Sequence, residues 1–112
     1  MEPQKRALTR EEAEWFLIIK ELPKDTTEKL FEKLLEQPGG WVLKAIEKRF
    51  NAYELKVSKK VMMMILMHGE GIVGKCAQYV DDIAKWAKEH DKKAIDITTL
   101  AHEIYPWVIP VF

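Results

Sequence analysis

The positions most able to do chemistry sit in one stretch, VMMMILMHGEGIVG, residues 61–74. Gly69, Gly71 and Gly74 stand at GxGxxG spacing, and Asp96 lies 22 residues beyond the last of them. After a strand, such glycines let the backbone approach a pyrophosphate. The following helix N-terminus supplies positive charge, and an acidic residue at about that distance meets the ribose. The same letters also describe a break between two helices, with Gly69 closing one in the left-handed conformation and Gly71 beginning the next. Two features favour the break. Glu70 would put a carboxylate beside the phosphates, and the first sixty residues read as helices where a parallel sheet needs more strands. The helix break is therefore the leading expectation, with no cofactor. Gly69, Gly71, Gly74 and Asp96 stay as the nucleotide-binding alternative.

His68, Cys76 and the methionines Met62, Met63, Met64 and Met67 offer soft donors of the kind that select Cu(I). Ordinary core packing accounts for them better, because methionine fills irregular gaps and free cysteine is usually buried. His90 and His102, with Asp91 and Glu103, form no recognised ligand spacing, so no metal is expected. Cys76 falls in the first turns of a helix, which lowers a thiol pKa, but on its apolar stripe, which opposes a nucleophilic role. Ser58 is the only serine, and there is no GxSxG. Asp81 and Asp82 are adjacent, so on a helix their side chains diverge by about 100° and cannot act as a dyad. No catalytic set emerges, and the chain reads as non-enzymatic.

Two binding chemistries remain. Lys44, Lys48, Arg49, Lys56, Lys59 and Lys60 are opposed in their span only by Glu47 and Glu54, and such a face can meet phosphates. A solvated helix face explains the same pattern. Residues 96–104 resemble the first helix of a helix-turn-helix in rhythm. The recognition helix would have to follow Pro106, where the chain offers only WVIPVF. That apolar tail either folds back on its own core or inserts Trp107, Ile109, Val111 and Phe112 into a partner.

The elements that hold these residues can be read from periodicity and punctuation. Thr9 and Glu12 form a capping box ahead of a helix carrying WFLII at 15–19, and so continuous an apolar run predicts a helix surrounded on all sides. Pro23 ends it. Asp25 and Glu28 read as a second capping box, followed by the stripe Leu30, Phe31, Leu34 and Leu35; Pro38, Gly39 and Gly40 stop that helix. Val42, Ala45, Ile46, Phe50 and Tyr53 recur at helical spacing. Ser58 can cap a helix over 61–67, although so short an apolar run also permits a strand. Residues 72–90 show the clearest amphipathic pattern, with Val73, Cys76, Ala77, Val80, Ile83, Ala84 and Ala87 on one stripe. Asp96 or Thr98 caps a short helix that ends before Pro106.

The expected architecture is a single domain over 1–112, all-α, a bundle of five or six helices with an apolar C-terminal tail. The alternative is an α/β fold with one βαβ unit around 61–98. There are 112 residues, zero net charge and one cysteine. Neutrality disfavours a dedicated nucleic-acid binder and removes the charge repulsion that opposes self-association. One cysteine fits a reducing compartment, and the longest apolar run is far short of the ~20 residues that span a bilayer, so a cytoplasmic location is expected. The functional expectation is a small interaction or regulatory protein that self-associates. A nucleic-acid regulator using the 44–60 span, and a nucleotide binder using the glycines, are the alternatives.

Overall fold

The computed structural model describes residues 6–108. Six helices and four two-residue strands follow one another: β1 (Arg6–Ala7), α1 (Arg10–Glu21), α2 (Lys24–Glu36), α3 (Gly40–Ala52), β2 (Lys56–Val57), α4 (Lys59–His68), α5 (Val73–Glu89), β3 (Ala94–Ile95), α6 (Ile97–Thr99) and β4 (Trp107–Val108). Between α6 and β4 the chain continues as a π-helical turn, Leu100–Ile104. The fold is an all-α bundle, as the periodicity predicts.

The oily run at 61–67 winds as α4 and is the central rod. Residues Val61, Met62, Met63, Met64 and Ile65 are all buried, and α1, α2, α3 and α5 each pack against this helix. Ser58 caps it, its hydroxyl accepting from the Val61 N–H. Helix α5 turns Cys76, Val80, Ile83, Ala84, Trp86 and Ala87 inward. Burying these side chains contributes roughly 1.5–3 kcal/mol for each large one, before the entropy of ordering is charged against it. One continuous apolar cluster joins the helices. The radius of gyration, 13.4 Å, is that of a folded chain of this length.

The α/β alternative is overturned, because residues 61–67 form no strand. Parallel pairing does occur, but it is only two residues long and begins earlier, with Lys56 opposite Ala94 and Val57 opposite Ile95. Both α4 and α5 lie in the crossover between these strands. A second parallel pair sets Arg6 against Trp107 and Ala7 against Val108, which brings the two ends of the described chain together.

Three local expectations need correction. Helix α1 is not surrounded: it buries Ala13, Phe16 and Ile19, while Trp15, Leu17 and Ile18 stay exposed. Helix α2 starts at Lys24, not with Asp25 as its cap. Pro23 is the N-cap, and its carbonyl accepts from the Thr27 backbone N–H and hydroxyl, so Asp25 sits inside the first turn, where its charge suits the helix dipole. Gly69 is not left-handed; the positive φ angles fall on Glu70 (55°) and Gly71 (69°).

That last correction reflects a recurring device. After α4, the Glu70 N–H donates to the Met67 carbonyl and the Gly71 N–H to the Leu66 carbonyl. This six-to-one, five-to-two pairing is a Schellman close. The same pairing ends α3, with Glu54 at φ 58° and the Leu55 N–H on the Phe50 carbonyl. It also ends α5, with Asp91 at φ 52° and the Lys92 N–H on the Ala87 carbonyl. An acidic residue takes the left-handed position each time, where glycine is the usual occupant.

Candidate functional site

Helices α3 and α5 lie side by side and run in the same direction. Ala45 stands beside Val73 and Ala77, Arg49 beside Asp81, and the end of α3 beside Ala84 and Lys88, so residue numbers advance together along the seam. The seam is followed by Ala45 and Arg49 on α3 and by Tyr53 at its C-cap, the i+4 spacing of a ridge that packs into a neighbouring groove. The inner side of α3, with Val42, Leu43, Ile46 and Phe50, is buried against the core.

The middle of the seam is clamped by charge. Arg49 Nε and Nη2 donate to Asp81 Oδ1 and Oδ2 at 2.8 and 2.9 Å, and the Tyr53 hydroxyl donates to Asp81 Oδ1 at 2.8 Å. The two-pronged guanidinium–carboxylate geometry orients the two side chains against each other across the seam. The hydrogen bond from Arg49 holds the Asp81 carboxyl below the usual carboxylate range, with a further lowering from Tyr53. The hydrogen bond to Asp81 likewise raises the Tyr53 phenol. Asp82 points elsewhere and accepts from the Tyr105 hydroxyl at 3.3 Å, so the two aspartates diverge.

The two ends of the seam differ. At the N-terminal end Trp41 is 60% exposed, and Ile72 and Val73 are also open to solvent. Between the ends, Ala45 and Ala77 leave only a shallow cavity of about 80 Å³. At the C-terminal end a cleft of about 480 Å³ opens between the close of α3 and the last turns of α5. Its lining is mostly charged, with Glu54, Asp81 and Asp91 set among Lys85, Lys88, Lys92 and Lys93, around buried Leu55, Ala84 and Ala87 and exposed Tyr53.

A second cluster ties the chain ends together. Glu12 uses Oε1 to accept from the Thr9 N–H, completing the capping box, and Oε2 to accept from His68 Nδ1. The His68 ring lies between Tyr79 and Trp107, with centroids 6.2 and 4.8 Å away. Trp107 also meets Phe16 edge-on at 5.6 Å and stacks with Tyr105. Trp107 therefore packs against the chain's own core. Ile109, Val111 and Phe112 lie outside the described residues.

The other sequence candidates are dispersed. Gly69 is buried at the end of α4, Gly71 is exposed in the turn, and Gly74 faces open space on α5. A helix, α4, and not a strand leads directly into them, and Asp96 spends its carboxylate capping α6 through the Thr99 N–H at 2.8 Å. The strand–turn–helix setting of a dinucleotide site is not assembled here. Of the basic span, Lys44 and Lys48 lie on the outer side of α3 and Lys56 on β2. Arg49 is held by Asp81, Lys59 sits 5.3 Å from the Phe31 ring centre, and the Lys60 ammonium donates to the Lys20 carbonyl at 2.7 Å. His90 is at the C-cap of α5, stacked on Trp86 with its Nδ1 on the Trp86 carbonyl, and His102 is exposed on the π turn. Cys76 is fully buried, its Sγ 3.6 Å from the Ile65 carbonyl oxygen, and burial raises its thiol pKa. Among the described residues no group of three or more His, Cys, Asp or Glu is placed to hold a metal ion, and no helix is long and apolar enough to cross a membrane.

Sequence reasoning missed the cleft. No local signal reveals it, because it forms between the end of α3 and a turn almost forty residues away. The helical spacing of Val42, Ala45, Ile46, Phe50 and Tyr53 was legible, but Tyr53 reads there as a core residue and is in fact exposed. Comparison with protein-family models, with curated proteins and with solved structures finds no match to this chain.

Proposed function

We propose that this chain is a non-enzymatic helical interaction protein, with a regulatory or assembling role, that associates with copies of itself in the reducing cytoplasm. The supporting observation is the outer seam of α3 and α5. Trp41 on α3 and Ile72 and Val73 at the start of α5 are exposed at the N-terminal ends of a pair of helices that Arg49 and Asp81 link. Single exposed apolar residues are ordinary, but an exposed tryptophan near the start of α3, with exposed aliphatic residues at the start of the parallel α5, supplies the residue type that interfaces use as an anchor. A rigid face also loses little entropy on docking, which favours association. Zero net charge leaves no long-range repulsion between copies, and a buried free thiol accords with the compartment.

Sedimentation velocity over a concentration series tests the reading. A dimer or small closed oligomer should form at or below about 100 μM, the range of a weak specific interface. A chain that stays monomeric through that range overturns the proposal.

A further inference from the structure

We infer that Glu12 and His68 form a proton-operated latch on the C-terminal segment. It closes Trp107 onto the bundle when the imidazole is charged and loosens it when the ring is neutral, whether or not the chain self-associates. Four elements meet at this ring. Helix α4 ends on His68, whose Nδ1 pairs with Glu12 Oε2 on α1. Tyr79 of α5 and Trp107 of β4 face the imidazole. Trp107 stands opposite Arg6 in the β1–β4 pair, and next to it the Leu8 N–H donates to the Val108 carbonyl at 3.1 Å. The ring therefore touches the segment whose pairing joins the two ends of the described chain.

Three features favour the charged ring. The Glu12 carboxylate is in direct contact, and an opposite charge so close moves a titration by about 1–3 pH units. His68 occupies the last turn of α4, where the helix dipole favours a cation. The Trp107 ring centre is 4.8 Å away, within the range at which an indole attracts a cation. Burial opposes them, since the His68 side chain is only 3% exposed. The carboxylate outweighs burial because it neutralises the charge in place, and Glu12, at 23% exposure, keeps the pair in touch with water. The other groups around the ring are engaged elsewhere. On α1 Arg10 pairs with Glu14; on α5 Tyr79 contributes a phenol, and Asp82 accepts from the Tyr105 hydroxyl; past the end of α4 Glu70 pairs with Lys75. Helix α4 carries no other ionisable side chain after Lys60. The closed latch thus binds the proton more tightly than the open segment does. Closure is fully favoured below the open-state titration, about pH 6.5, and the advantage is lost as pH rises through the higher closed-state value.

Amide hydrogen exchange from about pH 5.5 to 8, expressed as protection factors that remove the intrinsic pH dependence, tests the latch. The Leu8 N–H reads closure of the β1–β4 pair. The Lys56 N–H, which donates to the Lys93 carbonyl in the other parallel pair, is the internal control. Leu8 protection should fall about ten-fold or more relative to Lys56 as the pH is raised. Glu12→Gln removes the charge yet keeps an oxygen for the Thr9 N–H, because glutamine also completes a capping box. In that variant the pH dependence should flatten, and the His68 ring, followed by NMR, should lose its proton about one pH unit or more lower than in the wild-type chain. A Leu8 protection that tracks Lys56 across the range overturns the latch. So does a pH dependence or a ring titration that Glu12→Gln leaves unchanged.

Discussion

Helices α1 and α4 carry the same kind of signal and meet opposite fates. Each has at least five large apolar residues in unbroken succession, WFLII in one and VMMMILM in the other. In α4 five consecutive residues, 61–65, are buried, whereas α1 leaves three of its five in the open. The difference lies in the neighbours. Helix α4 is flanked by α1, α2, α3 and α5, so every direction around its axis meets a partner. Helix α1 packs on α4 and on Trp107 with its Ala13, Phe16 and Ile19 side, and its opposite side, with Trp15, Leu17 and Ile18, stays exposed. A continuous apolar run thus states that a helix can be enclosed. Whether it is depends on how many other helices the topology sends past it.

Truncation is the strongest way to break this comparison. Met64 is fully buried, so Met64→Ala should destabilise the fold by about 2–5 kcal/mol through lost transfer energy and an unfilled cavity. Ile18 is 52% exposed, and Ile18→Ala should change stability by no more than about 0.5 kcal/mol. Chemical denaturation of both variants decides the matter. Equal losses would mean that α1 is covered in solution, and the contrast drawn above would fail.

The glycines of the GEGIVG stretch sharpen the same lesson on a smaller scale. A methyl group at Gly69 would overlap Cys76 Sγ, because the end of α4 and the start of α5 touch there. Gly69→Ala should therefore cost about 1–3 kcal/mol, the usual range for overpacking. Gly74 lies in the first turn of α5 with open space around its Cβ direction, so Gly74→Ala should stabilise by about 0.5–1 kcal/mol through helix propensity. Thermal melts of the pair read both signs. A destabilising Gly74→Ala would show that this glycine serves something other than the helix break.

Much of the bundle could be read from residue order, for physical reasons. Helix α5 was legible because its two faces differ throughout, and α1 and α4 announced their starts through Thr9 and Ser58, whose hydroxyls accept from the first free N–H groups. What escaped was decided by packing between distant segments. Tyr53 looks like a core residue on α3 until Asp81, 28 residues away, takes its hydroxyl. The left-handed helix closes went to Glu54, Glu70 and Asp91, and nothing in residue type announces a strained conformation that glycine would enter freely. Lys56 and Val57 are too short a segment to show a strand period at all. The candidate site shared this limit: the helical spacing of Ala45 and Tyr53 was visible, and the cleft beside Tyr53 was not.

The smallest effect concerns the seam, where polar pairing replaces the apolar contact that secures α4. Because Arg49 and Tyr53 hold the Asp81 carboxyl below the ordinary range, the folded state binds its proton more weakly than the unfolded chain does. The stabilisation is then fully present above the unfolded value, about pH 3.9, and is lost as pH falls through the lower folded value. Both partners are about half exposed, 48% for the Arg49 side chain and 40% for Asp81, so solvent screening keeps the contribution small. Asp81→Asn should accordingly lower the melting temperature slightly at pH 6–7, and the gap from the wild-type chain should close as both are taken toward pH 2. Raising the salt at neutral pH should narrow it as well. A gap that persists unchanged at low pH would mean that Asp81 acts at the seam by shape and hydrogen bonding and not by charge. The clamp would then resemble the core it borders more than the contrast allows.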